Sequence, residues 1–100
     1  MKYDLGPASD FKEAKINSYE LGSHDVCVVK VNGEFKAFRN MCPHQYVPLE
    51  DGIIKDNWIV CSMHGWLFDM TTGACGVNPT VNLPIYKVGI ENGNVVVELE

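Results

Sequence analysis

The sequence predicts an all-β fold, an antiparallel β-sandwich base carrying a small loop-rich insert. Three observations predict it. Two β-rich stretches each contain an Asn-Gly pair, Asn32-Gly33 and Asn92-Gly93. That dipeptide suits the two-residue hairpin turn, whose central positions both need positive φ. Between the hairpins the texture changes: the middle carries Pro43, Pro48, Pro79 and Pro84, plus Gly52, Gly65, Gly73 and Gly76. The chain is 100 residues long, the size of one small domain.

Taken in order, Tyr3 to Leu5 reads as a short strand. "PASDFKEA" offers a helical turn capped by Asp10, with Glu13 in capping-box position. A strand is expected around Ala14 to Leu21. Val26, Val28, Val29 and Val31 then lead into the first Asn-Gly turn, and Phe35, Ala37 and Phe38 return from it. After the insert, Tyr86, Val88 and Ile90 alternate with Lys87 and Gly89 up to the second turn. Beyond it, Val95, Val97 and Leu99 share one face, while Val96 and Glu98 point the other way. Two hairpins with apolar faces can close a small sandwich or barrel. The loop-rich insert between them spans residues 41–84. Within the insert, "DMTTGACG" reads as a tight turn between short strands.

Composition narrows the function classes. Apolar content of 46% and charged content of 21% are ordinary for a soluble domain. A net charge of −5 argues against nucleic acid as a partner, because phosphate neutralisation needs a basic face. "MKYDLGPASD" has no apolar run behind its charge, so no signal peptide is expected. No window approaches the ~20 apolar residues of a membrane span. The expected location is cytoplasmic, with no membrane partner. Disulfides are disfavoured there, which shifts the reading of Cys27, Cys42, Cys61 and Cys75 toward metal or redox chemistry.

The chemistry concentrates in "CPHQYVPLEDGIIKDNWIVCSMHGW", residues 42–66. Cys42 and His44 are separated by one residue, Cys61 and His64 by two, and sixteen residues separate the pairs. Each loop can deliver two ligands to one cluster at little further entropic cost. Pro43 stiffens the first loop, and Gly65 permits a tight turn after His64. Zinc is one reading, although zinc fingers segregate a Cys pair from a His pair. Core cysteines beside exposed histidines is the bland reading. A [2Fe–2S] cluster with two Cys on one iron and two His on the other is the third.

The pattern resembles the Rieske motif, CxH, a spacer, then CxxH. "CPHQ", "HGW" with a following "FD", "TTG", a proline loop and a closing "YKV" strand match as well. The resemblance spans nearly the whole chain and is nearest the small Rieske-type ferredoxins; "MCPHQ" and "GVNP" are similar to those of toluene monooxygenase systems. It implies the Rieske fold as a single Rieske domain, with a base of about residues 1–39 and 81–100 and a cluster-binding subdomain of about 40–80. It implies one [2Fe–2S] cluster, held by Cys42 and Cys61 on the inner iron and His44 and His64 on the outer one. The implied function is one-electron transfer from a flavoprotein reductase to a terminal oxygenase, without catalysis by this chain itself. The small Rieske-like subunit of an assimilatory nitrite reductase is the alternative.

Neutral imidazoles in place of thiolates leave a less negative cluster, which accepts an electron more readily and couples it to a proton. High-potential relatives resemble CTHLGC and CPCHGS, with two extra loop cysteines, a Ser and a Tyr near the sulfurs. Val47, Met63, Trp66 and Phe68 stand at those positions here, so the low end of the Rieske range is expected. Cys27 and Cys75 read as structural, and His24 as a solvated turn residue. Met41, Tyr46, Trp66 and Pro79 are candidates for an apolar collar around the histidines.

Overall fold

The computed structural model describes residues 1–43, 47–62 and 65–99. Among them, strands dominate and only two three-residue 3₁₀ turns occur, Ala8–Asp10 and Leu49–Asp51. The strands are β1 (Lys2–Pro7), β2 (Ile16–Leu21), β3 (His24–Val31), β4 (Glu34–Arg39), β5 (Ile53–Lys55), β6 (Trp58–Val60), β7 (Leu67–Asp69), β8 (Ile85–Glu91) and β9 (Asn94–Glu98). They form a six-stranded sheet, ordered β1-β9-β8-β4-β3-β2, and a three-stranded sheet, β5-β6-β7. Every ladder is antiparallel.

Both Asn-Gly hairpins form as expected. Val31 pairs with Glu34 across Asn32 (φ 51°) and Gly33 (φ 81°). Glu91 pairs with Asn94 across Asn92 (φ 52°) and Gly93 (φ 79°). Ala37 opposite Tyr86 and Phe38 opposite Ile85 stitch the two hairpins into one sheet. The seam continues where the Arg39 N–H donates to the Pro84 carbonyl at 3.0 Å.

Side-chain alternation on β3 divides the interior in two. Val26 and Val28 enter a basal core with Phe11, Leu21, Ala37, Val95, Val97 and Leu99. Cys27, Val29 and Val31 face the other way, into a core with Phe38, Leu49, Ile59, Phe68, Met70 and Leu83. β3 is thus a wall shared by both cores, which is why four consecutive residues, Val26 to Val29, are fully buried. Burying each such valine contributes roughly 1.5–3 kcal/mol.

Several details differ from expectation. The turn at Ala8–Asp10 is 3₁₀, follows Pro7 and has no side-chain cap, so Asp10 closes it rather than opening it. Phe11, buried and edge-on to Phe35 at 5.4 Å, draws the chain into extended geometry immediately afterwards. Glu13 instead accepts the Asn32 N–H at 2.6 Å, bracing the first hairpin. β2 starts at Ile16 because Ala14 has a positive φ of 61°. Ile90 is exposed rather than packed. His24 opens β3, half-buried and edge-on to Tyr86 at 5.9 Å, and is not a turn residue. The insert holds a complete three-stranded sheet, more regular than its Pro and Gly content suggests.

Candidate metal centre

Two loops of matching construction carry the predicted cysteines. In the first, the Cys42 N–H donates to the Val47 carbonyl at 2.7 Å. In the second, the Cys61 N–H donates to the Trp66 carbonyl, also at 2.7 Å. Each bond closes a six-residue loop with its cysteine at the start. Gly65 has a φ of 66°, the left-handed geometry expected of it. Cys42 is 0% exposed and Cys61 is 1% exposed, and both belong to the core that also holds Cys27 and Cys75. His44 and His64 lie outside the described residues, as do Tyr46 and Met63.

The elements around these loops hold them differently. The second loop interrupts the β6–β7 hairpin, and Val60 opposite Leu67 fixes its ends. The first loop runs from the end of β4 to the 3₁₀ turn at Leu49, with no ladder across its base among the described residues. There the Asn40 side chain takes over. Its Oδ1 accepts the N–H groups of Leu49 at 2.8 Å and Glu50 at 2.9 Å. Its Nδ2 donates to Glu50 Oε1 at 3.2 Å, and Ser18 Oγ donates to Glu50 Oε2 at 2.9 Å. Sequence reasoning does not single out Asn40, because its partners lie nine and ten residues away.

A third segment closes the region. Asp69 Oδ1 accepts the N–H groups of Thr71 (2.7 Å) and Thr72 (3.0 Å) and an Asn57 Nδ2 hydrogen (3.1 Å). The turn ends at Gly73 (φ 81°), where a Cβ would stand 2.1 Å from the Leu83 carbonyl oxygen. Cys75 Sγ then accepts the N–H groups of Val77 at 3.4 Å and Asn78 at 3.3 Å. This anchors the loop that leads to Pro79 and agrees with a structural role for Cys75.

Of the expected apolar collar, Trp66 is half-buried and packs on the cysteine-containing core, as does Val47. Phe68 is fully buried within that core. Met41 lines a cleft of about 370 Å³ with Ser23, His24, Asp25, Arg39, Pro84 and Tyr86. Pro79 is exposed. Burial, with a smaller contribution from Glu50, pushes the Cys27 thiol up to about 12, so Cys27 stays protonated and behaves as a small apolar residue.

The donor set fits an iron–sulfur centre in one definite respect. Two buried thiols from separate, equivalently closed loops share a single apolar core, and such an environment suits a thiolate-bound iron shielded from water. No group of three His, Cys, Asp or Glu side chains assembles among the described residues, and the two candidate histidines are not among these.

Fold and paired loops together define a small cluster-binding redox domain. The chain belongs to the Rieske [2Fe-2S] domain family, which it matches over residues 1–87. Its cofactor is accordingly one Rieske-type [2Fe–2S] cluster. The ferredoxin component of the alkene monooxygenase system of Xanthobacter autotrophicus is 32% identical over 99 residues, covering 97% of this chain and 80% of that protein. A chain in the complex of reduced oxygenase and oxidized ferredoxin in carbazole 1,9a-dioxygenase superposes with a TM-score of 0.87 at 28% identity, covering 96% of this chain and all of that one. The structure of a putative NADH-dependent nitrite reductase small subunit from Mycobacterium tuberculosis gives a TM-score of 0.90 at 17% identity, covering 97% of this chain and 93% of that one. That last likeness shows the fold alone.

Proposed function

We propose that this protein is a one-electron carrier that takes electrons from an NAD(P)H-dependent flavoprotein reductase and delivers them to a terminal oxygenase. The observation that carries the reading is the pair of buried thiols, Cys42 and Cys61, at the mouths of two equivalent loops in one core. The ferredoxin-component relatives support the carrier role, and the oxygenase–ferredoxin complex supports the oxygenase as partner. Cys42, His44, Cys61 and His64 are the ligands in this reading. Residues 40–80 form the cluster-binding part, and residues 1–39 with 81–100 the base. The three-stranded sheet β5-β6-β7, distinct from the six-stranded one, supports that division. A cytoplasmic location is consistent with the described residues, in which no helix is long and apolar enough to cross a membrane.

When bound, the cluster supplies a site that stores and releases one electron. The chain's contribution is to bury one side of that site and to keep its surroundings apolar. Phe68 and Trp66 bring carbon and an indole, with no hydroxyl to donate to cluster sulfur. Hydroxyl hydrogen bonds of that kind favour the reduced, more negative state, so residues without a hydroxyl at these two positions point to a low potential, near about −150 mV. Two measurements test the proposal. Electron paramagnetic resonance of the reduced protein should show the signature of mixed Cys/His ligation, and an all-cysteine signature would overturn the ligand assignment. Redox titration above about +100 mV would overturn the low-potential assignment.

A further inference from the structure

The two cysteine loops are closed by the same internal hydrogen bond, yet their bases are held by unlike means. The second has strand pairing on both sides, through Val60 and Leu67. Among the described residues, the first is held at its base by the Asn40 side chain. Asn40 reaches across the loop's base to Leu49 and Glu50, while its own N–H donates to the Asp25 carbonyl on β3 at 2.9 Å. The Glu50 carboxylate then links this clasp to Ser18 on β2. The clasp therefore ties the first loop to two strands of the basal sheet.

We propose that Asn40 is the positioning residue of the first ligand loop, performing with one carboxamide what the Val60–Leu67 pair performs for the second. It does not touch the cluster. It acts by tying Leu49 and Glu50 to the end of β4, so that the Cys42–Val47 closure is kept and Cys42 holds its place in the core it shares with Cys61. This inference rests on the ligand assignment above.

The test uses the cluster-loaded protein and compares Asn40→Ala, Asn40→Asp and Val97→Ala. Asn40→Asp keeps an oxygen for the two N–H groups but loses the donor to Glu50. Val97→Ala loosens only the basal core, to which Val97 belongs. Iron release to a chelator should accelerate on the order of tenfold in Asn40→Ala, as expected for losing one to two net hydrogen bonds from the closed loop. Its paramagnetic resonance lines should broaden as the loop samples more than one geometry. Asn40→Asp, which keeps the acceptor but sets a carboxylate against Glu50, should fall between wild type and Asn40→Ala. Val97→Ala should lower the melting temperature without changing either readout. If Asn40→Ala releases iron no faster than Val97→Ala at a matched loss of melting temperature, Asn40 is merely structural and the proposal fails. Should Asn40→Ala not fold, Asn40→Ser is read by the same criterion, since its side chain is too short to reach both amides. A wild-type protein that binds no cluster would instead defeat the ligand assignment and leave the clasp itself intact.

Discussion

The two cores of this molecule contrast in what completes them. The basal core is built of valine, leucine and aromatic side chains and is enclosed by a six-stranded sheet. The other contains all four cysteines and is covered on one side by a sheet whose strands are three residues each. Strands that short contribute little pairing energy on their own. One half of the interior is finished by hydrocarbon and ladder hydrogen bonds, whereas the other combines short strands with four cysteines, two of them the proposed cluster ligands.

The contrast is broken most severely by removing a thiol. Cys42→Ser or Cys61→Ser should abolish cluster assembly, read as loss of visible absorbance and iron. Far-ultraviolet circular dichroism should keep the β signature of the base. Stripping the cluster with acid and chelator should have the same regional effect. Hydrogen exchange should rise in Ile53–Lys55, Trp58–Val60 and Leu67–Asp69 while β3 and β9 stay protected; uniform deprotection would show that the two cores do not differ in this way.

Next in size is Gly73→Ala. Its Cβ would meet the Leu83 carbonyl oxygen at 2.1 Å in a residue with positive φ, so a cost of about 2 kcal/mol or more is expected from denaturant titration. Val97→Ala in the basal core should cost about 1.5–3 kcal/mol and leave the reduction potential unchanged. A shift in potential would mean that the cores are coupled more tightly than β3 alone implies.

A smaller effect follows from Cys27. Its thiol is raised to about 12 when folded and ionises near 8.5 when unfolded. The unfolded state therefore loses a proton first, and stability declines as pH rises from about 9 toward 12. Below that window Cys27 contributes no slope. Cys27→Ala should flatten the alkaline decline in melting temperature. The smallest effect belongs to the exposed Lys2–Glu91 ion pair at 3.0 Å, and Lys2→Ala should leave the melting temperature unchanged within error.

Much of the architecture is written in short-range signals. Asn32-Gly33 and Asn92-Gly93 locate two hairpins because a single dipeptide sets the turn geometry. Val95, Val97 and Leu99 reveal their shared face through strict alternation. The run Val26 to Val29 breaks alternation, and only the fold explains why: β3 is covered on both faces. The sheet β5-β6-β7 is obscured because three-residue strands are too short for a period to register. Asp56, not a glycine, takes the positive φ of 53° in its first turn. Cys42 and Cys61 are visible through spacing and flanking residues. Asn40 is not, because a hydrogen bond to amides nine and ten residues away leaves no periodic trace.

The Arg39–Pro84 hydrogen bond has a further consequence. The chain leaves the basal sheet and re-enters it at neighbouring points, so everything between behaves as one long excursion with its ends already joined. Closing such an excursion costs only about 0.6 kcal/mol more for each doubling of its length. Insertions at the exposed tips of residues 40–83 should therefore burden the base very little. A scaffold of this kind can exchange the size and shape of its metal-bearing part while keeping the same foundation.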